Sequence, residues 1–412
     1  MAQATKILIE HQCPQCGAPA TLEETDRLFT CTFCRVKSFL THKGFFHYLL
    51  PHAPKGEEEP VYLPYWRLKG ILFWSMQTGI KHRIVDVSRQ AATSPHFPVS
   101  LGLRSQTMKL RFVPPEAEGR FLKRDMAADE LKTTVKGSFL TGIADSVFEH
   151  ALIGETPSII YAPFYIRSRV HDAVLNRPVS DVLPEDFKIE SHTDSHPDME
   201  IRFIPALCPR CNWDLEGERD SLVLHCRNCR TLYQAGNGKF EPIRVAHLPE
   251  SDKDCVFLPF YRVEADTSGI LLRSYADLVT NANLPKVIRK EWENLPFHFW
   301  SPAFKVRPES FLRFARTLTL SQPQTRLVKG VPNGILHPVT LSIAEASEGL
   351  KINLASFIKP QQTMLPRLKE IAVKPKKAVL VYIPFHESGT DLSHPHFQLR
   401  INKHLLRYAK NL

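Results

Sequence analysis

Apolar and polar positions along this chain follow two periods, one typical of strands and one typical of helices. Residues 80–87 and 158–170 are rich in β-branched and aromatic side chains, and we expect strands there. Residues 138–153 and 343–358 place apolar side chains three and four positions apart, which predicts helices. The segment 397–407 carries both periods, and we expect a return strand followed by a short basic helix. Together these patterns predict an α+β fold.

Proline interrupts the pattern throughout. The chain has 412 residues and 32 prolines, so long helices are not expected. Four strand-like segments carry a proline beside aromatic residues, at Pro64, Pro163, Pro259 and Pro384. Because proline has no N–H to donate to a ladder, we expect these prolines at sheet edges or bulges.

The chain matches itself when it is shifted by 195 residues. This shift places Cys13 on Cys208 and Pro64 on Pro259, without a gap over about 55 residues. Farther along, the offset grows, as loop insertions would make it grow. There we align Leu110-Arg111-Phe112 with Leu312-Arg313-Phe314, and Tyr161-Ala162-Pro163-Phe164 with Tyr382-Ile383-Pro384-Phe385. We therefore predict two homologous halves, roughly 1–195 and 196–412, joined by a linker at 191–198 and packed as a pseudo-symmetric monomer.

Eight of the nine cysteines form two identical frames, C-x2-C-x14-C-x2-C. They are Cys13, Cys16, Cys31 and Cys34, and Cys208, Cys211, Cys226 and Cys229. A two-residue spacing lets a tight turn aim both sulfurs at one point, and two such turns build an S4 cage suited to Zn²⁺. Disulfides are disfavoured in a reducing cytosol, and iron–sulfur clusters use other spacings. We predict two structural Zn²⁺ ions per chain, each with four protein ligands and no open coordination position.

The two frames resemble the zinc ribbon, a small rubredoxin-like β module. In Cys13-Pro14-Gln15-Cys16-Gly17 and Cys208-Pro209-Arg210-Cys211-Asn212, a residue that tolerates positive φ follows the second ligand. After the second pairs, where a ribbon commonly has glycine, the chain has Arg35 and Arg230. Their guanidinium groups either offset the charge of the thiolates or are solvated. The remaining cysteine, Cys255, is expected to be a buried small hydrophobe.

The resemblance and the repeat together give the expected domain order. It consists of a zinc ribbon at 1–50, an α+β domain at 51–190, a second ribbon at 200–245 and a second α+β domain at 246–412.

Charge is distributed unevenly along the chain. The net charge is +10, and residues 359–412 hold ten basic side chains: Lys359, Arg367, Lys369, Lys374, Lys376, Lys377, Arg400, Lys403, Arg407 and Lys410. The loops between the cysteine pairs are acidic instead, with Glu23, Glu24 and Asp26, and with Asp214, Glu216, Glu218 and Asp220. These carboxylates would repel phosphate, so the ribbon tips favour a protein partner, while the C-terminal region suits nucleic acid. Solvated loops carry charge runs of the same kind.

Aromatic and arginine side chains alternate on the proline-containing strands. They are Trp66, Arg67, Tyr165, Arg167, Tyr261 and Arg262. Such a set could stack on nucleobases and contact phosphates. A half-buried strand with a core face and a solvated face explains the same alternation, and we favour that interpretation.

Catalytic motifs are missing from the sequence. A Walker loop, a dinucleotide glycine pattern, a nucleophile elbow and an HExxH helix are all absent. Two histidine groups could hold a further metal, but loop histidines beside proline are usually surface residues. The groups are His192, Asp194, His196 and Asp198, and His386, His394 and His396. We predict a cytoplasmic, non-enzymatic protein that acts as an interaction scaffold or adaptor. The alternative is a nucleic-acid-binding accessory factor in transcription, replication or repair.

Overall fold

The fold is described from a computed structural model of the chain. The structure describes residues 7–53, 58–154, 157–189, 193–194, 197, 201–236, 238–250, 255–323 and 327–408. Most of the expected linker at 191–198 lies outside these residues, as do the side chains of its histidine and aspartate group.

The first half of the chain is built mainly of strands. These are β1 (Leu8–Gln12), β2 (Pro19–Glu23), β3 (Leu28–Thr30), β4 (Lys37–His42), β5 (His47–Leu49), β6 (Val61–Met76), β7 (Gly79–Gln90), β8 (Leu110–Phe112), β9 (Arg120–Leu122), β10 (Glu149–Gly154), β11 (Ser158–Ile166), β12 (Val170–Asp172), β13 (Arg177–Pro178), β14 (Thr193–Asp194) and β15 (Ile201–Pro205). Its helices are α1 (Arg104–Thr107) and α2 (Ala128–Leu140).

The second half combines strands with more helix. Its strands are β16 (Val223–Cys226), β17 (Thr231–Gly236), β18 (Lys239–Pro242), β19 (Val245–His247), β20 (Val256–Ser268), β21 (Phe299–Pro302), β22 (Val328–Lys329), β23 (Ile335–Leu336), β24 (Ala372–Ser388), β25 (Asp391–His394) and β26 (Leu399–Asn402). Its helices are α3 (Tyr275–Asn281), α4 (Pro308–Ser321), α5 (Ile343–Glu348), α6 (Leu350–Phe357), α7 (Gln361–Met364) and α8 (Lys403–Tyr408). The predicted α+β class is confirmed.

The chain forms two compact units, and each unit combines three separate segments of the sequence. Unit 1 contains residues 1–69, 85–139 and 155–205, and unit 2 contains residues 70–84, 140–154 and 206–412. The end of the β6–β7 hairpin and strand β10 therefore belong to unit 2, although they lie in the first half of the sequence. Strand β15 belongs to unit 1, where it pairs with β4 of the first cysteine frame.

Unit 1 is organised around a sheet in the order β14-β9-β6-β11-β5-β8-β1-β2. The β6 side chains that face its core include Leu63 and Tyr65, both fully buried. They pack with Ile160 and Phe164 of β11. Burying apolar side chains of this size contributes about 1.5 to 3 kcal/mol each, so this strand pair anchors the unit.

Unit 2 has a sheet in the order β21-β20-β24-β19-β22 and a separate three-stranded sheet, β16-β17-β18, in the second cysteine frame. Helix α4 packs on the larger sheet, where Phe314 contacts Phe260 of β20 and Phe385 of β24. Among the described residues, no helix combines the length and the apolar character that crossing a membrane requires.

The repeat is visible in the strand order and register of both units. Strands β9, β6, β11 and β5 lie in the same order as β23, β20, β24 and β19. Pro64 lies opposite Tyr161 on the neighbouring strand, and Pro259 lies opposite Tyr382 in the same way. The aligned Pro-aromatic segments are thus structurally equivalent, and the duplicated layout is confirmed.

The four prolines, Pro64 on β6, Pro163 on β11, Pro259 on β20 and Pro384 on β24, are not on edge strands, contrary to expectation. Each strand has neighbours on both sides. The Pro64 carbonyl accepts a hydrogen bond from the Ala91 N–H at 2.9 Å, one residue beyond the end of β7. The Pro259 carbonyl accepts one from the Ala303 N–H at 3.0 Å, one residue beyond the end of β21. Proline is tolerated at these two positions because the neighbouring strand ends beside it, so no ladder bond needs its N–H.

Two further sequence expectations were wrong. Residues 138–153 are not a helix, because α2 ends at Leu140 and residues 149–154 form β10, with Ala151 opposite Phe73 of β6. The long-range pairing with β6 overrides the helical spacing. The alignment of residues 110–112 with 312–314 also fails, since the first segment is strand β8 and the second lies within helix α4. The helices over 343–358 and the strand and helix over 397–407 are confirmed.

Candidate metal centres

Two tight turns converge at the first cysteine frame. One joins β1 to β2 and holds Cys13 and Cys16, and the other joins β3 to β4 and holds Cys31 and Cys34. The sulfurs of Cys13 and Cys34 are 3.8 Å apart, and those of Cys16 and Cys31 are 3.7 Å apart. All four lie within 4.8 Å of one another.

The second frame has the same arrangement within unit 2. Cys208 and Cys211 lie in a turn ahead of β16, while Cys226 ends β16 and Cys229 precedes β17. The sulfurs of Cys208 and Cys229 are 3.6 Å apart, and those of Cys211 and Cys226 are 3.5 Å apart. The four sulfurs again lie within 4.8 Å of one another.

These sulfur separations fit one tetrahedral ion in each frame. A tetrahedron with metal–sulfur bonds of about 2.3 Å has sulfur–sulfur edges of about 3.8 Å. A disulfide would need about 2.05 Å, and all eight cysteines are unpaired. Each frame can therefore hold a metal ion with four thiolate ligands. Four protein ligands complete the tetrahedron and leave no position for substrate or water.

The residue after the second cysteine of each turn has positive φ. The values are 71° at Gly17, 59° at Arg35, 54° at Asn212 and 53° at Arg230. At Gly17 and Arg35 the backbone N–H donates to the carbonyl of the first cysteine of the turn, at 2.9 and 3.1 Å. The arginines thus adopt the conformation that glycine usually provides, at the steric cost of a Cβ atom.

The arginine side chains do not act on the sulfurs as one sequence interpretation proposed. Arg230 Nη2 donates to the Val331 carbonyl at 3.0 Å, so its partner is a backbone oxygen of unit 2. Arg35 is exposed to solvent.

Backbone N–H groups and one phenol surround the buried thiols. The Phe33 N–H lies 3.4 Å from Cys31 Sγ. The N–H of Cys34 and then that of Phe33 lower the pKa of Cys31 to about 6, against the effect of burial. At Cys208, burial acts to raise the pKa, but the Tyr233 hydroxyl and two backbone N–H groups lower it to about 6. These donors favour thiolate, the form that binds metal, at Cys31 and Cys208, whereas burial and the neighbouring sulfurs raise the pKa of Cys226.

Tyr233 and Thr231 place hydroxyl groups beside the second cysteine frame, and the sequence analysis did not single them out; the Thr231 hydroxyl donates to the Cys229 carbonyl at 3.2 Å. The Tyr233 hydroxyl lies 3.3 Å from Cys208 Sγ and 3.9 Å from Cys229 Sγ. Burial raises the pKa of Tyr233, so the phenol keeps its proton. The Thr231 hydroxyl lowers the pKa of Cys229. Thr231 and Tyr233 lie two residues apart on β17, two and four residues after Cys229, so the two-residue period of a strand could have placed their side chains on one face.

The acidic tips are partly structural and not free charged loops. Asp26 is buried and accepts a hydrogen bond from the Glu23 N–H at 2.7 Å, and Glu24 lies 3.5 Å from the guanidinium of Arg67. In the second frame, Asp220 is buried and Glu216 pairs with Arg227 at 2.7 Å. Asp214 and Glu218 are exposed.

The aromatic and arginine side chains of the proline-containing strands do not form an open platform. Trp66, Arg67 and Tyr165 are buried, and Tyr261 and Arg262 are half-buried. Arg167 is exposed but pairs with Glu58 at 2.7 Å. The expected solvated face is therefore wrong for β6, because Arg67 is buried together with its neighbour Trp66. The core part of the interpretation holds for Trp66 and Tyr165, whose rings are packed inside the protein.

Several cations of the C-terminal region are paired with carboxylates. Lys376 lies 2.8 Å from Asp266, Arg400 pairs with Asp391, and Lys403 pairs with Glu387. Exposed side chains of this region include Lys374 and Lys377. The Arg407 side chain and Lys410 lie outside the described residues.

The candidate ligands that the structure describes outside the two frames, His386, His394 and His396, do not gather into a further site. His386 lies 3.3 Å from Glu250, while the rings of His394 and His396 are 6.4 Å apart. Over the described part of the chain, the groups of three or more ligand atoms that meet are the two cysteine frames. Cys255 is fully buried in an apolar cluster, as expected.

Comparison with protein families, with curated protein sequences and with solved structures gives no match.

Proposed function

We propose that the chain is a non-enzymatic protein with two structural Zn²⁺ ions, and that it serves as a scaffold or adaptor for protein partners. The observation that carries the proposal is the pair of closed S4 frames. Zinc is the expected ion because it has no geometric preference of its own and takes four thiolates in structural ribbons. A closed site organises the fold around it and offers no position for catalysis.

Exposed apolar side chains on both frames support a protein partner. Phe33 is 68% exposed between Cys31 and Cys34. In the second frame, Trp213 is 56% exposed and Leu207 is 45% exposed. Trp213 directly precedes the exposed Asp214, and Leu207 forms a β-bridge with Asp214. Large aromatic side chains are enriched in protein interfaces, and hot spots favour tryptophan. The metal would hold these side chains in place on short loops.

Nucleic-acid binding is less well supported. Lys376, Arg400 and Lys403 already pair with carboxylates. Of the candidate stacking rings, Trp66 and Tyr165 are buried and Tyr261 is half-buried. Exposed lysines such as Lys374 and Lys377 remain for phosphate. A nucleic-acid shift assay at rising salt tests this alternative, because phosphate contacts make affinity fall steeply with salt.

Elemental analysis of the purified full chain tests the proposal. We expect two zinc ions per chain, one after Cys31→Ser and one after Cys226→Ser, because each variant removes a ligand from a different frame. Cys255→Ser is the matched control and should keep two. Fewer than about one zinc in the wild-type protein, or iron in its place, would refute the metal assignment.

Partner binding has its own test. A Phe33→Ala and Trp213→Ala double variant should keep both metals and lose the native partner in a pull-down. If it retains the partner and binds nucleic acid with a steep salt dependence, the adaptor role is wrong.

A further inference from the structure

The second cysteine frame has a phenol hydroxyl at its sulfurs. Tyr233 lies on β17 opposite Leu224, is 3% exposed, and places Oη 3.3 Å from Cys208 Sγ and 3.9 Å from Cys229 Sγ. These two sulfurs come from different turns, so one hydroxyl spans both halves of the frame. A phenol can donate to a thiolate, and hydrogen bonds to an ionised acceptor are roughly twice as strong as neutral ones.

The first frame has a different side chain at this position. Its ladder aligns Phe29 with Ser38, and that of the second frame aligns Leu224 with Tyr233. These pairs differ by the same 195 residues that relate the cysteines, so Ser38 is the counterpart of Tyr233. The serine hydroxyl is one bond from Cβ, whereas the phenol hydroxyl is at the far end of a ring. By the same offset, Val36 replaces Thr231 and brings no hydroxyl at all.

The two frames also differ in how exposed their cysteine residues are. Cys13 and Cys31 are buried, as are Cys208 and Cys226. The other two cysteines of the first frame, Cys16 and Cys34, are exposed, whereas Cys211 and Cys229 are half-buried. A competing ligand must approach a metal-bound sulfur or its metal, so the first frame is easier to attack.

We propose that Tyr233 is a positioning residue that makes the second frame the retentive metal site and leaves the first as the exchangeable one. The inference rests on the proposed function, in which each frame holds an ion. Four thiolates on a divalent ion leave a net charge of −2, and the one O–H of Tyr233, 3.3 Å from Cys208 Sγ and 3.9 Å from Cys229 Sγ, stabilises that charge in a buried setting. The first frame has no such phenol, and two of its four cysteines are exposed. Metal exchange therefore begins at the first frame.

Metal release from the zinc-loaded full chain to an excess of a chromogenic chelator tests the inference. We expect two phases, and Cys226→Ser should keep the fast one, which assigns it to the first frame. Tyr233→Phe removes only the hydroxyl and should speed the slow phase about tenfold, equivalent to about 1.4 kcal/mol. Ser38→Ala, the matched change in the first frame, should leave both phases unchanged.

A spectroscopic readout separates hydrogen bonding from packing. In the cobalt-substituted chain, Tyr233→Phe should move the sulfur-to-metal charge-transfer band of the second frame to lower energy, because the thiolates lose a donor. Replacing Tyr233 by 3-fluorotyrosine, a stronger donor of nearly the same shape, should move it to higher energy and slow release. This second variant decides the matter if Tyr233→Phe unfolds the ribbon.

The inference would be wrong if the two frames released metal at equal rates. It would also be wrong if neither Tyr233 variant changed the slow phase or the charge-transfer band. Either result would leave the two-metal proposal standing. A wild-type chain without metal would instead refute the proposed function.

Discussion

Asp86→Asn tests whether the buried arginine of β6 depends on its ion pair. Arg67 is 2% exposed and makes a two-pronged contact with Asp86, at 2.6 Å through Nη1 and 3.4 Å through Nη2. Glu24, from the loop of the first cysteine frame, lies 3.5 Å away. The substituted amide keeps the shape of the carboxylate but removes its charge, so the guanidinium loses its closest anionic partner while it stays buried.

The expected cost follows from the burial of the pair. Removing one partner of a fully buried ion pair costs about 3 to 5 kcal/mol, and because Asp86 is 24% exposed and Glu24 remains, we expect about 2 to 3 kcal/mol here. Amide hydrogen exchange of β6 residues 61–67 measures this locally. Exchange should accelerate roughly 30- to 150-fold, since each 1.4 kcal/mol is a factor of ten. Amides of β24, in unit 2, serve as the internal reference.

A double variant provides the control. Arg67→Met with Asp86→Leu removes both charges, and well-packed apolar replacements of a buried pair are often neutral. Its exchange should lie closer to wild type than that of Asp86→Asn. A change below about threefold in the single variant, or a double variant that is worse than the single one, would refute the reasoning. Glu24 also lies beside the buried Arg67, so reversing its charge should destabilise unit 1 whether or not a partner binds there.

Three further predictions concern backbone strain and protonation. Arg35→Gly should tighten metal binding at the first frame by about 0.5 kcal/mol in a chelator competition, because the relief of strain at positive φ exceeds the cost of the added chain entropy. Arg230→Gly also loses the hydrogen bond to the Val331 carbonyl, so it should not tighten binding at the second frame. Gly269→Ala should lower the thermal midpoint more than Gly389→Ala, because both have positive φ but only the Gly269 Cβ would meet a backbone oxygen, at 2.7 Å. Burial and then Arg262 lower the pKa of His298 to about 4, so the unfolded state binds a proton first as pH falls from about 6.5 to 4. The free energy of unfolding should therefore fall as the pH drops through that window. In urea titrations repeated at several pH values, His298→Asn should make this fall smaller. An equally steep dependence on pH in the variant would contradict the burial of the ring.

The sequence by itself determined the features that depend on short-range spacing. The cysteine frames follow from two-residue turns whose sulfurs must converge, and the positive φ at Gly17 and Asn212 follows from the geometry of those turns. The repeat was readable because the segments around Pro64 and Pro259 keep their spacing to the cysteines, and the strand registers at these two prolines agree with it. The helical period of 343–358 also survived, since its apolar face packs within its own unit.

Only the tertiary structure decided what depends on partners distant in the chain. Residues 149–154 form a strand because their backbone pairs with β6, although their apolar spacing is helical. Arg67 became buried because Asp86 and Glu24 reach it from separate segments. Tyr233 became part of the metal site because β17 carries its hydroxyl back to sulfurs held by two different turns. In each instance the local pattern allowed two outcomes, and the choice was made by burial and hydrogen bonding that only long-range contacts supply.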